Sequence, residues 1–259
     1  MLRPTQARLL VVESMWIWYR RNWRSSVFST VLNPVFFLVA MGFGLGSQIT
    51  PGPITHGYSY AVYLMPAMMA AAAIQTAAGE STFPILSGFK WSRTYWGMTA
   101  TPITPAQVAT GQLLWILCRL SFSLTVFAII GSLLGVAAGP GNVLSLVFAV
   151  LTGMAFSAPL VAFAATVEGE GTAFNPVFRF IVLPMTLLAG TFYPVSELPA
   201  VVRPLAWITP LWHGTELTRA AAFWELELWP VLGHVAYLLA LASVGVVLAV
   251  RNYSRRLEV

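Results

Sequence analysis

The side chains that could carry out chemistry are few in this sequence of 259 residues, and they are widely spaced. All nine acidic residues are glutamates, and the three histidines are His56, His213 and His234. An acid–base or nucleophilic mechanism needs two or three such groups held together. Glu13 and Glu80 could act as bases, but nothing near either residue in the sequence completes a catalytic set. We therefore predict no catalytic residue in this chain.

Metal and nucleotide sites also lack their usual signatures. His56 and His213 fall in segments that we place on the same side of a membrane, which leaves a shared metal site open as an alternative to none. Lys90 is the only lysine, and its neighbours do not form the GxxxxGK[ST] loop that cradles phosphates. Cys118 is the only cysteine and can form no disulfide within the chain. We expect no metal and no cofactor bound by this chain.

The composition is that of a membrane protein. Hydrophobic residues make up 58%, charged residues 9%, and the mean hydropathy is +0.75, whereas about a quarter of a soluble domain is charged. Six apolar stretches, each of about 20 residues or more, are long enough to cross a bilayer core of about 30 Å. These stretches are 27–46, 60–78, 107–138, 143–166, 176–192 and 230–250. We predict an all-α polytopic membrane domain with six transmembrane helices.

The basic residues predict the orientation of the chain. Of the 14 lysines and arginines, ten lie before the first stretch, between the second and third, or after the last, and Arg179 lies near the start of the fifth, on the same side. Only Arg203 and Arg219 lie on the opposite side, and Arg119 lies within the third stretch. Because cytosolic loops carry the excess of positive charge, both termini are predicted to be cytosolic. Arginine outnumbers lysine 13 to 1, which is typical of GC-rich bacterial genomes. We expect a multi-pass protein of the bacterial inner membrane. We assign the positive charge to membrane lipids and not to nucleic acid.

Residues 1–26 predict a cytosolic helix lying in the membrane interface. Leu9, Val12, Trp16, Tyr19 and Trp23 recur at spacings of three and four, which makes one apolar stripe on a helix. Arginines occupy much of the remaining surface, as in helices that lie on anionic lipid. Two interpretations stay open: a membrane-anchoring segment, or a lever that connects a cytosolic partner to the first span.

Two connecting segments are more than simple loops. Residues 80–105, ESTFPILSGFKWSRTYWGMTATPITP, are too polar to cross a bilayer and too long for a turn. We predict that they form a cytosolic platform on which a partner docks. Residues 193–229 contain four prolines, spaced five or six residues apart from Pro194 to Pro210, and four tryptophans. This pattern predicts a re-entrant or surface-lying helical hairpin on the outer side. Thr209-Pro210 predicts a capped helix that runs to about Phe223. Residues 251–259 are predicted to be a cytosolic tail.

Three features within the apolar stretches call for an interpretation. The letters NPVF occur twice, from Asn33 and from Asn175, near the cytosolic ends of spans one and five. They are either a coincidence or a sign that both spans face a common cavity. Gly42 and Gly46 have the GxxxG spacing that permits close helix approach. Arg119 is either a functional intramembrane charge or a side chain that extends to the interface, and we favour the second.

Three long stretches resemble the ABC-2 type transporter permeases. They are LNPVFFLVAMGFGLGSQI, then YLMPAMMAAAAIQTAAGESTFPILSGFKWSRTYWGMTATPITPAQVATGQLLW, then FRFIVLPMTLLAGTFYPVSELPAVVRPLAWITPLWHGTELTRA. Together they cover most of residues 30–220 and match in order and spacing. The resemblance is strongest to nodulation-type lipooligosaccharide export permeases and daunorubicin-type drug export permeases.

This resemblance implies a non-enzymatic permease that works as a dimer, with a second copy or a sibling permease. Two copies of a separate ABC ATPase subunit would bind ATP and Mg and supply the energy. The implied activity is export of an amphipathic lipid, glycolipid, lipooligosaccharide or drug from the cytosolic leaflet. By resemblance, residues 80–105 contain the coupling helix, with Glu80, Phe83, Phe89, Trp91 and Arg93 as candidate ATPase contacts. The first helix resembles the family's connecting helix, with Trp16, Tyr19 and Trp23 as its candidate residues.

The substrate path is predicted at spans one and five, around a dimer interface. Candidate residues, chosen for position and for aromatic faces that suit amphipathic cargo, are Asn33, Phe36, Phe37, Asn175 and Phe178. Two other classes of function stay open. A lipid-modifying enzyme would need a polar cluster at membrane depth, which the sequence does not show. A non-transporting sensor or immunity protein could dock an ATPase without moving cargo.

Overall fold

Every regular element in the described part of the chain is a helix. The computed structural model describes residues 4–27, 33–52, 55–137 and 139–258. Within them four helices are long and apolar enough to cross a membrane, namely Tyr60–Phe89, Pro105–Leu133, Gly141–Ala164 and Leu228–Leu257. Two shorter apolar helices, Val35–Gln48 and Phe174–Leu188, lie where the first and fifth spans are predicted. The all-α class is confirmed, and four of the six predicted stretches are helices of spanning length.

The helices divide into long members of a bundle and short connecting pieces. In chain order they are α1 (Pro4–Val27), α2 (Asn33–Leu38), α3 (Tyr60–Glu80), α4 (Phe83–Phe89), α5 (Thr94–Thr99), α6 (Pro105–Leu133), α7 (Gly141–Ala164), α8 (Phe174–Pro176), α9 (Leu183–Leu188), α10 (Arg203–Trp207), α11 (Pro210–Ala222) and α12 (Leu228–Leu257). A π-helical turn, Val39–Gly44, and a 3-10 turn, Leu45–Gln48, continue α2. A second π-helical turn, Val177–Val182, joins α8 to α9.

Three long helices run in the same direction. Near the ends of α3 and α7, the hydroxyl oxygens of Ser81 and Ser157 lie 2.6 Å apart. Near the ends of α7 and α12, the side-chain amide of Asn252 donates to the Ala162 carbonyl over 2.9 Å. We call the end of the bundle where α3, α7 and α12 finish the terminal end, because α12 is the last helix. The other end is called the opposite end.

Helix α6 runs antiparallel to these three and begins at a capping box. The Thr104 hydroxyl accepts from the Gln107 amide over 3.3 Å, and the Gln107 side chain accepts from the Thr104 amide over 2.9 Å. Pro105 follows at the first helical position, where its missing N–H costs nothing. Near the other end of α6, Gly131 packs on Met65 of α3.

The predicted close approach at Gly42 and Gly46 is confirmed. A β-carbon on Gly42 would lie 3.1 Å from that of Ala61, and one on Gly46 would lie 3.3 Å from that of Tyr60. Both neighbours belong to the first turn of α3. The helix that begins at α2 therefore crosses α3 with almost no side chain between the two backbones.

The segment between α9 and α12 folds into short pieces, as its prolines predict. A 3-10 turn, Val195–Glu197, precedes α10 and α11. The Ser145 hydroxyl of α7 donates to the Thr218 carbonyl of α11 over 2.8 Å, and Gly214 packs on Thr152. Thr152 lies eleven residues into α7, about 17 Å from its start. Helix α11 thus begins beside the middle of α7 and ends beside its start.

Candidate functional site at the terminal end

The predicted platform is a folded structure at the terminal end, made of α4, α5 and the turn between them. Three of its five candidate contact residues face outward. Phe83 is 43% exposed and Trp91 is 50% exposed. Arg93 is also exposed and adopts a left-handed backbone conformation, with φ of 51°, just before α5. These three residues form the outer surface of the platform.

Phe89 faces inward instead and anchors the platform to α12. It is 3% exposed. Its ring centroid lies 4.8 Å from that of Tyr95 and 4.8 Å from that of Tyr253. The guanidinium carbon of Arg256 lies 4.3 Å from the Phe89 centroid, within cation–π range. Phe89 can therefore influence a docked partner only through the position of the platform.

Tyr95 ties the same anchor to α6. It is fully buried, and its hydroxyl donates to the Gln112 side chain over 3.1 Å. Burial raises the pKa of this phenol. Gly88 lies directly against the Tyr95 ring, so closely that no β-carbon would fit. Platform, α6 and α12 are thus packed around one aromatic core.

Glu80 also faces inward, where it forms part of a cluster with Tyr19 and Arg119. We call these three residues the Arg119 cluster. The Arg119 Nε donates to Glu80 Oε1 over 2.9 Å, with side-chain exposures of 5% for Arg119 and 20% for Glu80. The Arg119 guanidinium carbon lies 4.2 Å from the Tyr19 ring centroid. The cluster joins α1, the end of α3 and the middle of α6.

The preferred prediction that Arg119 extends to the interface is wrong. Arg119 is buried and finds its partners inside the protein. The reason is geometric, because α6 continues for fourteen residues, about 21 Å, on the terminal side of Arg119, and both α1 and Glu80 lie against it there. A buried charge is costly when it is left unpaired, and Glu80 pairs with Arg119.

The packing face of α1 differs from the predicted stripe. Ala7, Val11 and Tyr19 are buried, and Val11 packs on Gly111 of α6, where a β-carbon would lie 2.7 Å from that of Val11. By contrast, Leu9 is 58% exposed and Trp16 is 52% exposed. Small residues mark the face that meets α6, because a close approach to Gly111 leaves no room for tryptophan. Val12 is half-buried, and the Trp23 side chain lies outside the described residues.

The loop after α7 contacts the platform through one carboxylate. Glu170 accepts from the Lys90 ammonium over 2.6 Å and from the Trp91 indole over 3.3 Å. These hydrogen bonds, that from Lys90 first, lower the pKa of the Glu170 carboxyl. The contact is exposed to solvent, so it orients the Trp91 ring more than it stabilises the fold.

Replacing Glu170 by glutamine is expected to loosen the turn that carries Trp91. Because the pKa of Glu170 is lowered in the folded protein, its contribution is present at neutral pH and disappears as the pH falls through that lowered pKa. Amide hydrogen exchange over residues 90–93 should become several-fold faster in the variant. Glu168→Gln is the matched control, since Lys90 reaches only the backbone carbonyl of Glu168. Equal exchange in both variants would contradict a role for the carboxylate.

The candidate path residues lie on two different helices: Phe36 and Phe37 on α2, and Asn175 and Phe178 on α8 and the turn that follows it. Phe36 is 62% exposed, and Phe37 is 45% exposed with its ring 5.6 Å from that of Phe192. Asn175 is exposed, and Phe178 packs on the core beside α3. The Asn33 side chain lies outside the described residues. The two NPVF copies do share a nearby π-helical turn, which begins three residues after the first copy and within the second.

The three histidines lie near the opposite end of the bundle. The pair considered for a metal site was His56 with His213, but the structure pairs each of them with a different residue. His213 Nδ1 lies 2.7 Å from His234 Nδ1, whereas His56 Nδ1 lies 2.9 Å from Glu225 Oε1. Within the described ranges, no group of three or more His, Cys or Glu side chains could hold a metal ion. The His213–His234 pair is 21 residues apart in sequence, and no spacing rule would have found it.

A multi-pass helical bundle with an aromatic platform and a packed amino-terminal helix at one end defines the class: a polytopic membrane protein. The ABC-2 type transporter family profile matches residues 5–223, and the chain belongs to this family. It is therefore a transport permease, and family membership implies an ATPase partner in an ABC transporter.

Several proteins named Nodulation protein J are similar to this chain. The one from Sinorhizobium fredii (strain NBRC 101917 / NGR234) is 29% identical over 217 residues, which cover 80% of this chain and 81% of that protein. The one from Rhizobium leguminosarum bv. viciae is 26% identical over 215 residues, covering 78% of this chain and 79% of that protein. A third, from Bradyrhizobium diazoefficiens, is 27% identical over 208 residues, covering 78% of each chain.

Proposed function

We propose that this chain is the permease subunit of an ABC exporter that moves an amphipathic lipid, a glycolipid such as a lipooligosaccharide, or a drug out of the cytosolic leaflet. A separate ATPase subunit, in two copies per transporter, would bind ATP and Mg and supply the energy. The observation that carries this proposal is the platform itself, with Phe83, Trp91 and Arg93 outward and Phe89 anchored in the bundle. The similarity to Nodulation protein J supports a lipooligosaccharide as cargo.

The charge distribution supports a cytosolic terminal end in a bacterial inner membrane. The platform carries Lys90 and Arg93, and the end of α12 carries Arg251, Arg255 and Arg256. These five residues share one end of the bundle, which is the pattern of the positive-inside rule. We place both termini in the cytosol, with residues 1–26 as the connecting helix and residues 251–259 as the tail.

Six spans are consistent with this placement if the two shorter apolar helices are included. These helices, Val35–Gln48 and Phe174–Leu188, would span about 21–23 Å, somewhat less than the bilayer core of about 30 Å. The run of α11 along α7 supports the proposal that residues 193–229 return part of the way into the membrane. The exposed Phe36 and Phe37 support a substrate path at the contact with a second permease copy or a sibling.

The contacts suggest how a push on the platform reaches the spans. Phe89 transmits it to α12 through Tyr253 and Arg256. The Arg119 cluster transmits it to α6 and α1. ATP-driven closure of two ATPase subunits would therefore move the connecting helix, the platform and α12 as one unit.

The test is co-purification of an ATPase subunit with the tagged permease from its native membrane in mild detergent. Combining Trp91→Ala with Arg93→Glu is expected to lower the amount of co-purifying ATPase at least tenfold. Both side chains are exposed on the platform, and neither supports the bundle. Arg255→Glu is the matched control, an exposed arginine at the same end but outside the platform. Purification of the unmodified permease without any nucleotide-dependent partner would overturn the proposal. Stimulation of the ATPase by cargo then separates a transporter from a non-transporting sensor.

A further inference from the structure

A cavity of about 250 Å³ opens at the opposite end of the bundle, far from the platform. It lies between the start of α3, the end of α11 and the start of α12. Its polar lining consists of His56, Tyr63, Glu216, Arg219, Glu225, Glu227 and His234. The cavity is smaller than the roughly 300–1,000 Å³ of pockets that enclose drug-sized ligands. It would therefore hold one small chemical unit and not a whole amphipathic cargo.

Arg219 is a buried donor that is only partly used. It is 8% exposed, its Nη2 donates to the Thr191 carbonyl over 2.9 Å, and its guanidinium carbon lies 4.2 Å from the Tyr63 ring centroid. Its Nε is buried and has no hydrogen-bond partner among the described residues. A buried unpaired donor costs about 1–3 kcal/mol, and Arg219, which lines the cavity, therefore keeps unused hydrogen-bonding capacity beside it.

Hydrogen-bond acceptors line the same cavity as the Arg219 donor. Glu216, Glu225 and Glu227 are carboxylates, which only accept hydrogen bonds when ionised. One oxygen of Glu225, Oε1, lies 2.9 Å from His56 Nδ1 and accepts a hydrogen bond when that nitrogen carries a proton. The cavity is therefore lined both by carboxylate acceptors and by a buried guanidinium donor.

This combination selects against simple ions of either sign. An anion drawn to Arg219 would meet three carboxylates, and a cation drawn to the carboxylates would meet a buried guanidinium. A hydroxyl group is neutral and both donates and accepts, so neighbouring hydroxyls can satisfy Arg219 and Glu225 together. We propose that this cavity binds one sugar unit of a polyhydroxylated ligand. That the sugar is the headgroup of an exported glycolipid rests on the proposed function, whereas sugar binding itself does not.

The test is saturation-transfer NMR on the purified permease in nanodiscs prepared without sugar detergents. The probes are methyl β-glucoside, which is a free sugar, and octyl β-glucoside, which carries the same ring on a lipid-like chain. Both probes are expected to bind, with methyl glucoside displacing octyl glucoside. Tighter binding of octyl glucoside identifies a lipid-linked source, and equal binding identifies a free saccharide. Binding of octyl glucoside that methyl glucoside does not displace would overturn the proposal, because the chain alone would then be recognised.

Two variants and a control locate the binding. Arg219→Gln and Glu225→Gln are each expected to weaken methyl glucoside binding at least tenfold. Glu225 is exposed, with 54% of its side chain accessible, so its variant tests the cavity even if Arg219→Gln fails to fold. Glu197→Gln is the control, an exposed carboxylate that does not line the cavity. Unchanged binding in Glu225→Gln, or equal competition by sulfate or ethylammonium, would overturn the proposal. Co-purification of the ATPase, measured on the same variants, should stay unchanged and so separates this inference from the proposed function.

Discussion

Replacing Glu80 by alanine is expected to lower the free energy of unfolding by about 3 kcal/mol. The change leaves Arg119 charged and without its carboxylate in a position where it is 5% exposed, and an unpaired buried charge is among the costliest defects in a protein. Unfolding by denaturant, followed by tryptophan fluorescence in detergent, would measure the loss. Glu13→Ala is the matched control, since Glu13 is exposed on α1.

A double replacement separates the stability of this ion pair from its proposed role in coupling. Combining Glu80→Ala with Arg119→Met removes both charges, so most of the lost stability should return. ATP hydrolysis by the assembled transporter is nevertheless expected to lose its dependence on cargo, because the polar contacts that link α1 and the end of α3 to α6 are gone. Cargo-dependent hydrolysis at the level of the unmodified protein would show that the pair serves packing alone.

The ion pair also marks a limit of sequence reasoning. Arg119 stands out in an apolar stretch, and its cost in a membrane predicts that it has a partner. Its partner Glu80 lies 39 residues away, at the end of another helix, and it was predicted to face an ATPase. Which of two plausible environments a carboxylate occupies depends on how two helices are offset along their axes, and composition contains no information about that offset.

The platform shows the same limit at shorter range. Phe89 and Trp91 are both aromatic and only two residues apart, and the sequence supports either as a surface residue. In the structure Phe89 is 3% exposed and Trp91 is 50% exposed. The difference arises from contacts with Tyr253, more than 160 residues further along the chain. Only the packing of α12 against the platform decides which ring faces inward.

Local signals were more informative at helix starts. Thr104-Pro105 begins α6 and Thr209-Pro210 begins α11, and both threonine hydroxyls accept a backbone N–H as caps. Helix α11 ends at Ala222, one residue before the predicted Phe223. Capping needs only residues three apart, so the sequence contains all that is required. The π-helical turns at the two NPVF copies lack such a local signature and were not predicted.

Replacing Gly245 by alanine is expected to destabilise the bundle by about 2 kcal/mol, although alanine normally stabilises a helix interior. A β-carbon at this position of α12 would lie 2.5 Å from Pro159 Cδ and 2.6 Å from the Ala158 carbonyl carbon of α7. Those atoms belong to a helix backbone and its proline ring, which cannot rotate aside, so the two helices must separate. Overpacking of this kind typically costs about 1–3 kcal/mol. The midpoint of unfolding in denaturant would measure the effect.

Gly233 provides the control within the same helix. Nothing lies within 4 Å of a β-carbon there, so Gly233→Ala should be neutral or stabilising by up to about 1 kcal/mol through helix propensity alone. Because Tyr253 of α12 contacts Phe89 of the platform, a displaced α12 should also weaken ATPase binding in Gly245→Ala and not in Gly233→Ala. Equal midpoints for the two variants would contradict the close approach of α7 and α12. A lowered midpoint with full ATPase binding would show instead that the platform holds its position independently of α12.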